Sequence, residues 1–277
     1  MSVIGKPVIP KEHGVWPALL IPLLAGSFVN PVAGGVSGFA LLLLIISAVA
    51  GIFFLEPLRM LIKPPAGGVR SRFAAWLVIY SLFLLVPALL LITVYERSGL
   101  AWFFIPGVLL TVLKLWSAMA RVQRELFIEV VGVFGLALTA LAGSYVQNGF
   151  IPGSSIFLYF LCAIWFLDRT FMARRVLSGL RSGVWIENIK ERAVWFQKQL
   201  LYHAVALGLV LLIIVISGGS VPFYAFLPFL LATFANGRII TRKTPLTDPM
   251  KIGYSELILG LLFGFSLVVA FRTFVAV

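Results

Sequence analysis

Charge and cysteine are scarce in this sequence. Only 12% of its 277 residues are charged, with 10 acidic against 22 basic. A soluble domain carries about 25% charged residues, so a water-facing globular surface is excluded. The single cysteine, Cys162, excludes a disulfide scaffold; inside an apolar run it reads as a small core residue. Soluble-enzyme signatures are missing too: no P-loop, no G-x-G-x-x-G, no G-x-S-x-G and no H-E-x-x-H.

What is abundant is apolar. Hydrophobic residues make up 61% of the chain, the mean hydropathy is +1.07, and there are 24 Phe, 7 Trp and 7 Tyr. Nine runs are long enough to cross a bilayer, which takes about 20 residues. They cover roughly 14–30, 36–62, 73–95, 100–120, 127–147, 156–177, 200–217, 223–241 and 254–277. Turn-rich pieces such as Asn30-Pro31 and Lys63-Pro64-Pro65 separate them. Barrel strands would alternate over about ten residues. The expected fold is therefore an all-α integral membrane protein, a single polytopic domain over 1–277 with about nine transmembrane helices.

Basic residues set the orientation. With the N-terminus on one side, every Lys and Arg except Arg97 and Arg272 falls at that side's connections. The N-terminus is thus expected in the cytoplasm and the C-terminus outside, in the cytoplasmic (inner) membrane of a bacterium. The first run reads as an uncleaved span rather than a signal peptide. The net charge of +12 is a topology signal and an attraction to anionic headgroups. Nucleic acid is not an expected partner.

Every acidic residue except Glu96 also falls on or near the cytoplasmic side. Some charges lie within the spans: Lys114 two helical turns before Arg121, Asp168-Arg169 in span six, Glu129 one turn into span five, and Glu56 before the end of span two. An ionised group there costs about 2.5–3.5 kcal/mol on insertion scales, so it faces a partner or a cavity. This predicts a hydrated, charge-lined cavity opening to the cytoplasm. Snorkelling and i,i+4 pairing at solvated helix ends are the competing explanation, as for Arg59 or for Arg121 with Glu125.

His13 and His203 begin spans one and seven on that same side and are expected to hydrogen-bond at the cavity rim. No cysteine or carboxylate spacing accompanies them, so no metal site is assigned. Residues 181–199 place Trp185, Ile189, Trp195 and Phe196 near one face, an interfacial amphipathic helix serving as a lid or a membrane anchor.

Residues 10 to 16 read Pro-Lys-Glu-His-Gly-Val-Trp. With the Arg-rich end of span six, Tyr202-His203-Ala204, and the segment Lys251 to Glu256, the chain resembles the YwiC-like family of bacterial membrane proteins over essentially its whole length. More remotely, nine helices with basic connections after spans two and six resemble the UbiA superfamily of intramembrane prenyltransferases. That resemblance implies Asp-rich motifs holding Mg²⁺ and an isoprenyl diphosphate. Here the motifs are degenerate, with Glu56 alone after span two and Asp168 alone after span six. Arginines can instead hold a phosphate or carboxylate directly.

The function expected from these features is transfer or modification of an isoprenoid- or quinone-type lipid. Glu56, Asp168 and Lys114 form the candidate catalytic set, with Mg²⁺ only weakly supported. Arg169 and Arg174 would hold the lipid head, with Arg59, Glu129, His13, His203, Asn236 and Arg238 completing the candidate substrate-binding set. Two alternatives stand beside it: a non-catalytic subunit or assembly factor of a membrane complex, and an anion transporter.

Overall fold

A computed structural model describes residues 5–10, 15–29, 36–63, 70–120, 122, 125–182, 186, 188–242 and 249–275. Every described element is helical. The helices are α1 (Val15–Phe28), α2 (Gly38–Ile62), α3 (Arg70–Thr93), α4 (Leu100–Ala120), α5 (Leu126–Ala137), α6 (Thr139–Asn148), α7 (Gly153–Ser182), α8 (Ile189–Trp195), α9 (Gln197–Ile216), α10 (Leu227–Thr241) and α11 (Pro249–Val275). A 3-10 turn, Phe223–Phe226, leads into α10. Among the described residues, eight helical stretches are long and apolar enough to span a membrane, with α5 and α6 counting as one. The chain is an all-α integral membrane protein.

The first expected span is shorter than the others. Its described helix has 14 residues, about 21 Å at 1.5 Å per residue, against a hydrocarbon core of about 30 Å. Residues 11–14, immediately before it, lie outside the described set. In the opposite direction, α7 runs 30 residues straight through Asp168-Arg169. Charge does not break a helix whose backbone is satisfied internally; it requires only that the side chains find partners.

The chain forms two compact units, Met1–Ser27 with Pro31–Ile151, and Phe28–Asn30 with Pro152–Val277. In the first, α2 and α3 pack along their length. Pro87 withholds an amide hydrogen from α3; nearby, Ser47 of α2 donates to the Leu84 carbonyl at 2.8 Å. Helix α1 lies against α6 at glycine distance, since a Cβ on Gly26 would stand 1.9 Å from the Ala140 carbonyl oxygen. A Cβ on Gly143 would stand 2.4 Å from the Leu23 oxygen. Small residues let membrane helices approach this closely. Thr139, where the span tightens between α5 and α6, donates to Leu19 of α1 at 3.0 Å.

The N-terminal segment is tied to α3. Arg72 donates to the Lys6 carbonyl through Nε at 3.1 Å and Nη2 at 2.6 Å, and Tyr80 Oη donates to Val8 at 3.2 Å. Trp16, Phe53, Tyr80 and Trp76 form a run of ring contacts beside it, with centroids 5.2–5.3 Å apart.

In the second unit, α7 packs on α9 and α11, and α10 packs on α11 and α8. Only residues 189–195 of the expected amphipathic stretch are described as a separate helix; residues 183–185 and 187, Trp185 among them, lie outside the described set. The described part is fastened down. Arg175 of α7 donates twice to the Trp195 carbonyl, at 3.0 and 2.7 Å, and lies 4.0 Å over its ring. Buried Arg192 donates to the carbonyls of Ile186, Ile240 and Arg242.

A buried polar layer in the second unit

Asp168 and Arg169 are adjacent on α7, so their side chains leave the helix about 100° apart. Each is met by a different neighbour. Asp168 Oδ2 lies 2.9 Å from His203 Nδ1 on α9. Arg169 takes both oxygens of Glu256 on α11, at 2.8 and 2.7 Å, and its Nη1 donates to Asn236 Oδ1 on α10 at 2.7 Å. The same Nη1 stands 3.9 Å from Asp168 Oδ2, which links the two arms. On the far side of the imidazole, Nε2 lies 2.8 Å from Thr233 Oγ1 of α10. Four helices thus contribute to one continuous chain: Thr233, His203, Asp168, Arg169, then Glu256 and Asn236.

The middle of this chain is dry. Asp168 and Arg169 are each 5% exposed, His203 4% and Asn236 2%. Both ends reach the surface, through exposed Thr233 and through the Glu256 side chain at 20% exposure. One turn along α7 from Asp168-Arg169, the flat ring of Trp165 stacks on Phe263 of α11 at 4.4 Å. Phe229 of α10 meets it edge-on at 5.4 Å. All three rings are 0–1% exposed. The polar layer therefore rests on an aromatic layer that closes it toward the opposite ends of α7, α10 and α11.

The candidate residues divide between the two units. The layer gathers Asp168, Arg169, His203 and Asn236. Arg174 and Arg238 are exposed on α7 and α10 of the same unit. Glu56, Arg59, Lys114 and Glu129 belong to the first unit, and His13 lies outside the described residues. Glu56 pairs with Arg59 one turn on, at 3.6 Å, with Arg59 half exposed. That is the geometry of a solvated helix end, worth little on its own. Lys114 of α4 lies across from Gly132 of α5, where a Cβ would stand 3.8 Å from its Cε; Glu129 is one turn before that glycine.

Within the layer the buried charges bond to each other. Arg169 is committed to Glu256 and Asn236, so an anion would reach it only by displacing them. Nor does the layer suit Mg²⁺. Both Glu256 oxygens accept from the guanidinium, and the Asp168 oxygen faces the imidazole and the same guanidinium. No group of three or more His, Cys, Asp or Glu side chains is gathered among the described residues.

Two members of the layer carry no signal of it in the sequence. Glu256 closes the segment from Lys251, but its partner Arg169 stands 87 residues earlier, and nothing in the sequence joins the two. Thr233 gave no signal, because a threonine on an apolar helix ordinarily bonds its own backbone.

A family model described as YwiC-like protein matches residues 9–145. The Bacillus subtilis (strain 168) protein described as "Uncharacterized protein YwiC" is 25% identical over 173 residues, covering 62% of this chain and 68% of that one. No solved structure matches the chain.

Proposed function

The chain belongs to the YwiC-like family, and we propose that it is an intramembrane enzyme acting on an isoprenoid- or quinone-type lipid, with His203 and Asp168 as its acid–base pair. The direction in which His203 faces carries the reading. A buried carboxylate holds Nδ1, as in hydrolytic triads where an Asp orients the imidazole. The opposite nitrogen addresses Thr233, whose helix face also presents exposed Leu230 and Phe234. A reactant arriving there comes along an apolar surface, which suits a lipid better than a water-soluble metabolite.

Arg169, Glu256 and Asn236 then hold Asp168 in place, rather than binding the substrate. Arg174 and Arg238, exposed at the basic end of their helices, supply positive charge to an anionic head. No step passes through a metal, because the donor set does not fit one.

The test is conversion in a defined bilayer. The purified protein is placed in nanodiscs containing a bacterial polar-lipid and quinone extract, and the prenyl lipids and quinones are followed by mass spectrometry. Wild type is expected to change one such species, with His203→Gln and Asp168→Asn leaving it unchanged. Identical lipid profiles for wild type and both variants would reject the enzyme.

One observation favours a second reading. Arg169 spends its hydrogen bonds on Glu256 and Asn236, as a clamp joining α7, α10 and α11 requires. A non-catalytic subunit with such a clamp would come out of its native membrane with a stoichiometric protein partner and no altered lipid.

A further inference from the structure

A groove of about 260 Å³ lies in the second unit, with the 3-10 turn and the start of α10 on one side and α11 on the other. Its walls are mainly apolar, with Leu227 from α10 and Phe265 and Val269 from α11. All three are exposed, so the groove is open at the side of the helices. Three hydroxyls interrupt the apolar walls, those of Tyr224, Ser266 and Thr273.

The hydroxyls are not alike. Thr273 donates to the Val269 carbonyl at 2.9 Å, the usual recourse of a hydroxyl on a membrane helix. Ser81, Thr93, Thr111 and Thr241 also donate to the carbonyl four residues back, at 2.7–2.9 Å. Ser266 does not. Its hydroxyl and that of Tyr224 have no hydrogen-bond partner among the described residues. In hydrocarbon no water takes the place of a missing partner, so an unpaired hydroxyl is costly until an acceptor arrives. Two unpaired donors on one apolar groove call for an acceptor oxygen carried by an apolar chain.

Charge stands further along the same helix. Arg272 is six residues beyond Ser266, about 9 Å at 1.5 Å per residue. Its Nε donates to the Phe28 carbonyl at 2.9 Å. Its terminal nitrogens have no hydrogen bond among the described residues, and the side chain is exposed. An arginine in that state near a membrane surface suits a phosphate.

We propose that the groove seats one diacyl phospholipid, from the leaflet at the Thr273 end of α11. An acyl chain lies against Leu227, Phe265 and Val269. An ester carbonyl accepts from Ser266 and Tyr224, and the phosphate meets Arg272. Chain, ester and phosphate follow one another along a phospholipid in that order. A prenyl chain brings no oxygen to Ser266 and a quinone brings no phosphate to Arg272, so neither uses the whole set. Glu256 of the polar layer stands ten residues before Ser266 on α11, about 15 Å away along the helix. The lipid seat is therefore separate from the site of the function proposed above and holds whether or not that site is catalytic.

The experiment is native mass spectrometry of the purified, delipidated full chain in micelles. The probes are dioleoyl phosphatidylglycerol and its diether analogue, which keeps the chains and the phosphate but lacks both carbonyls. One lipid per chain is expected, with the diester retained about tenfold over the diether. Tyr224→Phe combined with Ser266→Ala removes two exposed or half-buried hydroxyls and nothing else, and is expected to abolish that preference. Leu227→Trp fills the groove and is expected to abolish retention. Equal retention of diester and diether by wild type would overturn the proposal, as would a preference that survives in the double variant. Dioleoylglycerol retained as well as the phospholipid would overturn the phosphate contact with Arg272, and a prenyl quinone that displaces the phospholipid would overturn the choice of occupant.

Discussion

Replacing Glu256 by Gln should damage this protein more than replacing its partner Arg169 by Met. The two side chains share the same pair of hydrogen bonds, at 2.8 and 2.7 Å, but not the same surroundings. Arg169 has 6% of its side chain exposed and Glu256 has 20%. Glu256→Gln leaves a cation sealed in the layer with one amide oxygen in place of the carboxylate, the Asn236 oxygen, and an Asp168 oxygen 3.9 Å away. Stranding one partner of a buried pair costs about 3–5 kcal/mol. Arg169→Met leaves a carboxylate that water can reach, Asp168 still bonded to His203, and one unpaired Asn236 oxygen, which costs about 1–3 kcal/mol. The double variant removes both charges and is expected within about 1 kcal/mol of Arg169→Met. The assay is reversible unfolding in mixed detergent micelles, read by Trp fluorescence and run as a double-mutant cycle. A Glu256→Gln protein as stable as wild type, or less damaged than Arg169→Met, would refute the reasoning.

Gly26→Ala needs about 1.5 Å of separation between α1 and α6 before its Cβ clears the Ala140 oxygen 1.9 Å away, so a loss of about 1–3 kcal/mol is expected in the same unfolding assay. Gly107→Ala, which meets nothing within 4 Å, should be neutral. Arg192→Lys keeps the charge but loses the fork that reaches three carbonyls; about 2 kcal/mol of destabilisation is expected, and a loss under about 0.5 kcal/mol would count against the clamp on α10. Cys162 is the only cysteine and is fully buried, so intact wild type should resist maleimide. Cysteine placed at Lys190 should then label only from the cytoplasmic side and at Arg97 only from the other; the reverse pattern would overturn the orientation.

The spans were legible because length and apolarity fix them before any packing is known. Leu126–Asn148, for example, follows the apolar run at 127–147 almost residue for residue. The layer was half legible. Asp168-Arg169, His203 and Asn236 stand out as polar groups in apolar runs, which is the general signal for an intramembrane site. Their mutual bonding was not legible, because nothing in one sequence tells α7 which helices it will touch. Arg169 therefore reads as a free anion ligand until Glu256 is seen across from it. Thr233 was invisible for the same reason: its partner comes from another helix. The segment near Trp195 shows a contact of another kind. Its aromatic spacing suits a membrane surface, and Arg175 and Gly179 of α7 also seat the indole, which the spacing does not announce.

Native mass spectrometry of the protein, extracted gently from its own membrane with its lipids identified, tests the central claim most directly. One isoprenoid- or quinone-type lipid per chain, kept in Asp168→Asn and lost when Arg174 and Arg238 are both replaced by Gln while the protein stays folded, is the predicted result. Bulk phospholipid alone, together with a stoichiometric protein partner, would contradict it.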